Sequence, residues 1–201
     1  MKKVSRGDLL DLGAYEQIRE RFRARIIAEK KRRRFALSPE LTMVFENSDT
    51  VLFQIQEMLR TERIVSEPAI AHEIETYNDL IPADGELSAT MFVEIADRET
   101  RDRRLAELSG LERSVAVDCG GVLTEARSEN RAVVEGPTTA VHYLKFPIGA
   151  AGYAALRAAA AATGASGGDA PIAFVVRHAK LQVRTPVPQD VVRALAAYFP
   201  A

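Results

Sequence analysis

SVAVDCGGVLTEA, residues 114–126, decides how this chain folds. Two strand-like runs, Ser114 to Asp118 and Val122 to Ala126, flank Gly120-Gly121, and a glycine pair between such runs signals a tight turn joining antiparallel strands. Working outward, Leu87 to Ile95 reads as a strand and Arg98 to Leu108 as a helix. Beyond the hairpin, a strand at Val141 to Phe146 precedes an alanine-rich helix over Ala150 to Ala162. Gly164 to Asp169 reads as a flexible loop, Ile172 to Arg184 as one bent strand or a tight hairpin, and Pro188 to Phe199 as a closing helix. The order β-α-β-β-β-α-β(β)-α mixes hairpins with helical crossovers. It predicts an α+β fold with a mostly antiparallel sheet and two or three helices over residues 86–201.

The first 85 residues carry a helical period instead. Ser5 with Asp8 resembles a helix N-terminal box, and Gly7 and Gly13 break the first turn before the main helix. That helix is predicted from Ala14 to about Arg34, with Tyr15, Ile18, Phe22 and Ile26 on one stripe. Leu41 to Asn47 leans to a strand on its β-branched content, against a helix start at Ser38-Pro39-Glu40. Ser48 or Asp49 can cap a helix from Thr50 to about Arg63, with Val51, Leu52, Ile55, Met58 and Leu59 as its apolar face. A further helix follows Pro68 to about Leu80 and stops at Pro82-Ala83-Asp84-Gly85. With no clear linker, the helical segment is expected to be fused to, and packed on, the sheet.

Charge is sorted along the chain although it nearly cancels. Residues 19–34 carry nine Lys/Arg against two Glu, a net of +7, and residues 35–99 a net of −11 within a total of −1. Opposed blocks imply internal pairing or two binding surfaces. Helical phasing puts Arg19, Arg23, Lys30 and Arg33 beside the buried stripe, and Glu62 on the apolar side of its own helix. Glu62 is therefore the expected ion-pair partner of Arg19 or Arg33, so that Glu62→Gln should destabilise more than Glu75→Gln. A net charge of −1, a pI near 6.3 and a basic run, Lys30 to Arg34, with no aromatics interleaved argue against nucleic-acid binding by the basic helix.

A single cysteine, Cys119, excludes an intrachain disulfide framework and points to a reducing, cytoplasmic setting. No apolar signal core follows the N-terminal lysines, and the alanine-rich stretch, interrupted by Arg157, is too weakly hydrophobic to span a bilayer. Phosphate-loop, dinucleotide, zinc-protease and paired-cysteine motifs are all lacking. No cofactor or metal is expected: His72, Glu75 and Asp79 share a helix face at ligand-like spacing, but that face opposes the buried side. His142, Lys145, Arg177 and His178 are the ligand-binding candidates, because pairing of their strands would converge two histidines and several cations on an anion.

The strings Lys31-Arg32-Arg33-Arg34, Phe45-Glu46-Asn47, Gln54 to Arg60, Glu62-Arg63-Ile64, Glu75 to Pro82, Glu86 to Thr90 and Tyr143 to Phe146 together resemble an uncharacterised bacterial family, a domain of unknown function often encoded beside rubrerythrin and iron-sulfur proteins. The resemblance covers essentially the whole chain and implies a cytoplasmic accessory protein of peroxide or oxygen defence with a redox-protein partner. It carries over no catalytic residue. Its polar positions, with Gln54 and Glu57 off the apolar face, make Phe53, Glu57 and Gln54 a candidate partner-docking surface. Three readings follow in order: a non-catalytic interaction protein, a small-molecule enzyme or anion-binding module built on His142, and a nucleic-acid binder.

Overall fold

A computed structural model describes residues 1–128, 137–162 and 171–197. The loop expected at Gly164 to Asp169, with Tyr198 and Phe199 of the expected closing helix, lies outside them. The chain divides into two compact units, residues 1–32 with 46–83, and residues 33–45 with the chain from 84 onward. Residues 33–45 thus belong with the sheets, where the sequence reading drew one boundary near residue 85.

The first unit is helical, with α1 (Leu12–Lys31), α2 (Ser48–Glu62) and α3 (Glu67–Asn78). Each start has a visible cause. The Asp11 side chain accepts the Ala14 amide to cap α1, and Asn47, rather than Ser48 or Asp49, caps α2 through a reciprocal exchange with Thr50. Pro68 sits in the first turn of α3. Arg63 closes α2 in a left-handed conformation (φ 53°), letting the Ile64 amide reach back to the Leu59 carbonyl. Tyr15, Ile26, Val51, Ile55, Leu59 and Ile70 are buried.

The segment before α1 is strapped down by two side-chain amides. Asn78 accepts the Val4 amide and donates to the Val4 carbonyl, both at 2.8 Å. Gln56 does the same for Leu10, at 2.8 and 3.2 Å. Four backbone groups that a strand partner would otherwise satisfy are thereby paired. The box read at Ser5 is present, with the Ser5 amide and hydroxyl both donating to Asp8 around a short 3-10 turn, Arg6–Asp8.

The second unit opens with β1 (Arg34–Ala36) and β2 (Leu41–Phe45), then β3 (Leu87–Val93) and α4 (Arg98–Glu107). It continues through β4 (Val115–Cys119), β5 (Val122–Glu125), β6 (Arg127–Ser128), β7 (Val141–Phe146), α5 (Gly149–Ala161), β8 (Ile172–His178), β9 (Leu181–Pro186) and α6 (Gln189–Ala196). There are two sheets, ordered β1-β2-β3-β7-β6 and β5-β4-β8-β9, and every pairing among the described residues is antiparallel. The α+β expectation holds. The hairpin at 114–126 forms as read, with Cys119 opposite Val122 and Gly120 and Gly121 at φ 63° and 90°, the two-residue loop that only positive φ permits. Inward side chains of both sheets share one core, in which Phe174 meets Phe35, Phe45 and Phe146 at 5.1–5.7 Å between ring centroids.

Two elements depart from the expected order, the short strand β6 and the end of the first helix. The first helix ends at Lys31, and Arg34–Ala36 is a strand paired with Val44 to Thr42. Ser38 makes the turn, its hydroxyl accepting the Leu41 amide. Arginines favour a helix locally, but burial of Phe35 and Leu37 beneath the second unit's sheets decides the outcome. No helix among the described residues is long and apolar enough to cross a membrane.

Candidate functional site

The four ligand-binding candidates of the second unit are split between two sheets. His142 and Lys145 lie on β7, which pairs with β3 and β6, while Arg177 and His178 lie on β8, which pairs with β4 and β9. The strand pairing that would have converged them does not occur. Period-2 alternation separates them further: His142 is buried where Lys145 is half-buried on the other face, and Arg177 and His178 likewise face opposite ways.

Each also has its own local partner. His142 Nε2 is 3.3 Å from the Thr138 hydroxyl and Nδ1 is 3.9 Å from Glu112, and burial pushes its pKa down against the pull of Glu112. Lys145 pairs with Glu86 at 3.5 Å and Arg177 with Glu125 at 3.0 Å. The Lys180 amide donates to His178 Nδ1, so the ring proton sits on Nε2 and is donated to the Ser109 carbonyl. Cys119 is buried, and desolvation pushes its thiol up to about 12. His72, Glu75 and Asp79 are exposed, and the described residues contain no cluster of three or more His, Cys, Asp or Glu side chains placed to hold a metal ion.

In the helical unit the ion pairing differs from the expected one. Arg19 pairs with Glu57, through Nε at 2.8 Å and Nη2 at 2.9 Å, and not with Glu62. The Tyr15 hydroxyl donates to the same carboxylate at 2.7 Å, and Arg60 lies 3.5 Å from it. The Arg19 guanidinium holds Glu57 down to about 2, and burial beside that charge pushes Tyr15 far above the ordinary phenol range. Glu62, at the last position of α2, is exposed. Arg33 is buried in the second unit, its carbonyl accepting the Phe45 amide.

The same contacts occupy most of the candidate docking face. Phe53 meets the Phe22 ring edge-on at 5.6 Å, and Phe22 in turn meets Tyr15 at 6.2 Å. Phe53 and Glu57 therefore hold α2 to α1, and Gln54 beside them is half-buried.

What remains open lies next to this seam. A groove of about 540 Å³ is bounded by Asp8 and Leu10 of the strapped segment, by Tyr15, Ile18, Arg21, Phe22 and Arg25 of α1, and by Leu52 and Gln56 of α2. Leu10, Ile18, Phe22 and Leu52 give it apolar surface. Most polar groups in its wall are committed: Tyr15 to Glu57, Gln56 to Leu10, and Asp8 to Lys2 and Ser5, bonds that hold the Asp8 carboxyl below its usual range. Arg25 lies over the Phe22 ring at 5.0 Å and reaches Asp49 at 3.4 Å. Arg21 is exposed and has no carboxylate partner among the described residues. The reading of the sequence missed this site. The i, i+4 pair Arg21 and Arg25 flanking Phe22 was its one local signal.

From residue 3 to residue 199 the chain matches the family described as Protein of unknown function (DUF3501). Among solved structures it is similar to a novel protein of unknown function from Burkholderia pseudomallei K96243, with 31% identity over 98% of each chain and a TM-score of 0.86. No curated protein matches it. The chain belongs to the DUF3501 family.

Proposed function

We propose that this DUF3501 chain is an accessory protein that works by binding rather than by catalysis, and that its operative site is the groove of the helical unit. The observation carrying the reading is a groove lined by Leu10, Ile18, Phe22 and Leu52 together with an arginine, Arg21, that no carboxylate of the described residues engages. In support, the titratable groups around it are tied far from neutrality. Glu57 stays ionised, Tyr15 stays protonated and Asp8 stays ionised at any physiological pH, so none is poised for acid–base work. The family resemblance supplies the setting, a cytoplasmic accessory of peroxide or oxygen defence with a redox-protein partner.

The test is extraction and mass analysis of whatever small molecules and identified redox proteins co-purify with the native protein. Leu52→Trp, which fills the groove, is expected to remove them, and Arg177→Ala, on the second unit, to leave them. Retention with Leu52→Trp, or loss with Arg177→Ala alone, would move the function elsewhere.

A further inference from the structure

We infer that the groove takes a small amphiphile carrying a single carboxylate, an aliphatic or aryl acid, with Arg21 as its anion anchor. The inference rests on the groove being the operative site, and it is reached by elimination within the wall. A ligand rich in hydroxyls or ring nitrogens needs free donors and acceptors. Here the Tyr15 hydroxyl, both ends of the Gln56 amide and the Asp8 carboxylate are already bonded within the protein. Sugars and nucleosides would therefore lose their hydrogen bonds to water and regain few. Ile18, Phe22, Leu52 and the exposed Leu10 instead offer apolar surface, and a volume of about 540 Å³ suits one small molecule.

Charge then fixes the head group. Arg21 presents a planar guanidinium that no carboxylate of the described residues engages, the geometry that receives a carboxylate through two parallel hydrogen bonds. Arg25 adds a second positive group, but it is drawn towards Asp49 and lies over Phe22, so its pull is weaker. The Asp8 carboxylate, in the same lining and paired with Lys2, adds negative charge that disfavours a second anionic group or a doubly charged phosphate. One acid group on an apolar body is the chemistry that satisfies all of these walls.

Calorimetric titration of the whole protein with octanoate, decanoate and dodecanoate, alongside decanol, decylamine and a Leu- and Glu-rich helical peptide, tests the assignment. The acids should bind, with affinity rising about fourfold per methylene buried. Decanol should bind more weakly and decylamine not at all. Arg21→Glu should weaken decanoate roughly ten- to a hundredfold, and Arg21→Lys less, with unchanged circular dichroism in both. Equal binding of decanol, binding of decylamine, indifference to Arg21→Glu, or capture of the peptide with no acid bound would each overturn the assignment. Two failures are separable. If Leu52→Trp strips the native co-purifying species but no acid binds, the groove is the site and its ligand belongs to another class. If acids bind equally to wild type and Leu52→Trp, the groove is not where they sit.

Discussion

Glu57→Gln tests the seam on which the helical unit depends. The carboxylate receives Arg19 through two nitrogens and the Tyr15 hydroxyl, all within 2.9 Å, and its side chain and that of Arg19 are 22% and 21% exposed. Its pKa falls from 4.5 to about 2, chiefly because the Arg19 guanidinium bonds the charged form. At about 1.4 kcal/mol per decade, that depression corresponds to about 3 kcal/mol of folding stability. Glutamine is isosteric and keeps an acceptor for Tyr15, so the loss isolates the charge. Thermal unfolding followed at 222 nm at pH 7 should show a midpoint lowered by roughly 5–10 °C. Because the folded value lies below the unfolded one, the contribution is complete above about pH 4.5. It drains away as the pH falls toward 2, so the two melting curves should converge over that window. Glu62→Gln, at an exposed position, should stay within about 0.5 kcal/mol of wild type. A Glu57→Gln midpoint equal to wild type at pH 7, or a gap that persists undiminished at pH 2, would refute the argument.

Replacing Asn78 by Ala leaves the Val4 amide and carbonyl without their partner, at a cost of about 1–3 kcal/mol, and hydrogen exchange at Val4 should quicken while that of the β4–β8 ladder does not. Gly152→Ala places a methyl 2.7 Å from Ile148 Cβ and 3.5 Å from Cys119 Cβ, so denaturation should report a loss of about 1–3 kcal/mol. Cys119, buried with its thiol pushed up to about 12, should resist a thiol reagent at pH 8 in the folded protein and react at once in denaturant.

What was legible in the sequence is what is encoded locally. The hairpin at residues 114–126 depends on two adjacent glycines and the residues beside them, and Val141–Phe146 on its own alternation, so both were read with their true partners or bounds. Strand β1 was not, since a three-residue strand within an arginine run acquires its conformation from Val44, Met43 and Thr42 across the sheet. The amide straps join positions 46 and 74 residues apart, a separation at which side-chain type carries no pairing information. The Glu62 expectation failed for a different reason. A helical wheel gives azimuth but not position along the axis, and Glu62 sits where α2 stops. The wheel also assigns one buried stripe, whereas α2 is engaged on more than one side. Val51, Ile55 and Leu59 form the stripe, while Phe53 and Glu57, read as a partner-docking surface, meet α1, with Arg60 beside the Glu57 carboxylate.

That second engagement settles what the sorted charges do. Arg19 meets Glu57, Arg25 meets Asp49 and Arg34 meets Glu94, each joining the basic block to the acidic one, while Arg32 turns to Glu29 within its own block. Arg33 is buried in the second unit and is not available to a surface ligand. Subtracting these leaves Arg21, Arg23, Lys30 and Lys31 of the basic block without an ion pair among the described residues. Of these, Arg21 lines the groove between α1 and α2. Paired cations on a solvated helix contribute little beyond stability, and scattered unpaired ones are ordinary surface. A cation left over in the lining of a groove whose other polar groups are mostly spent is the exception. It is there, rather than along the basic helix as a whole, that the proposed recognition site falls.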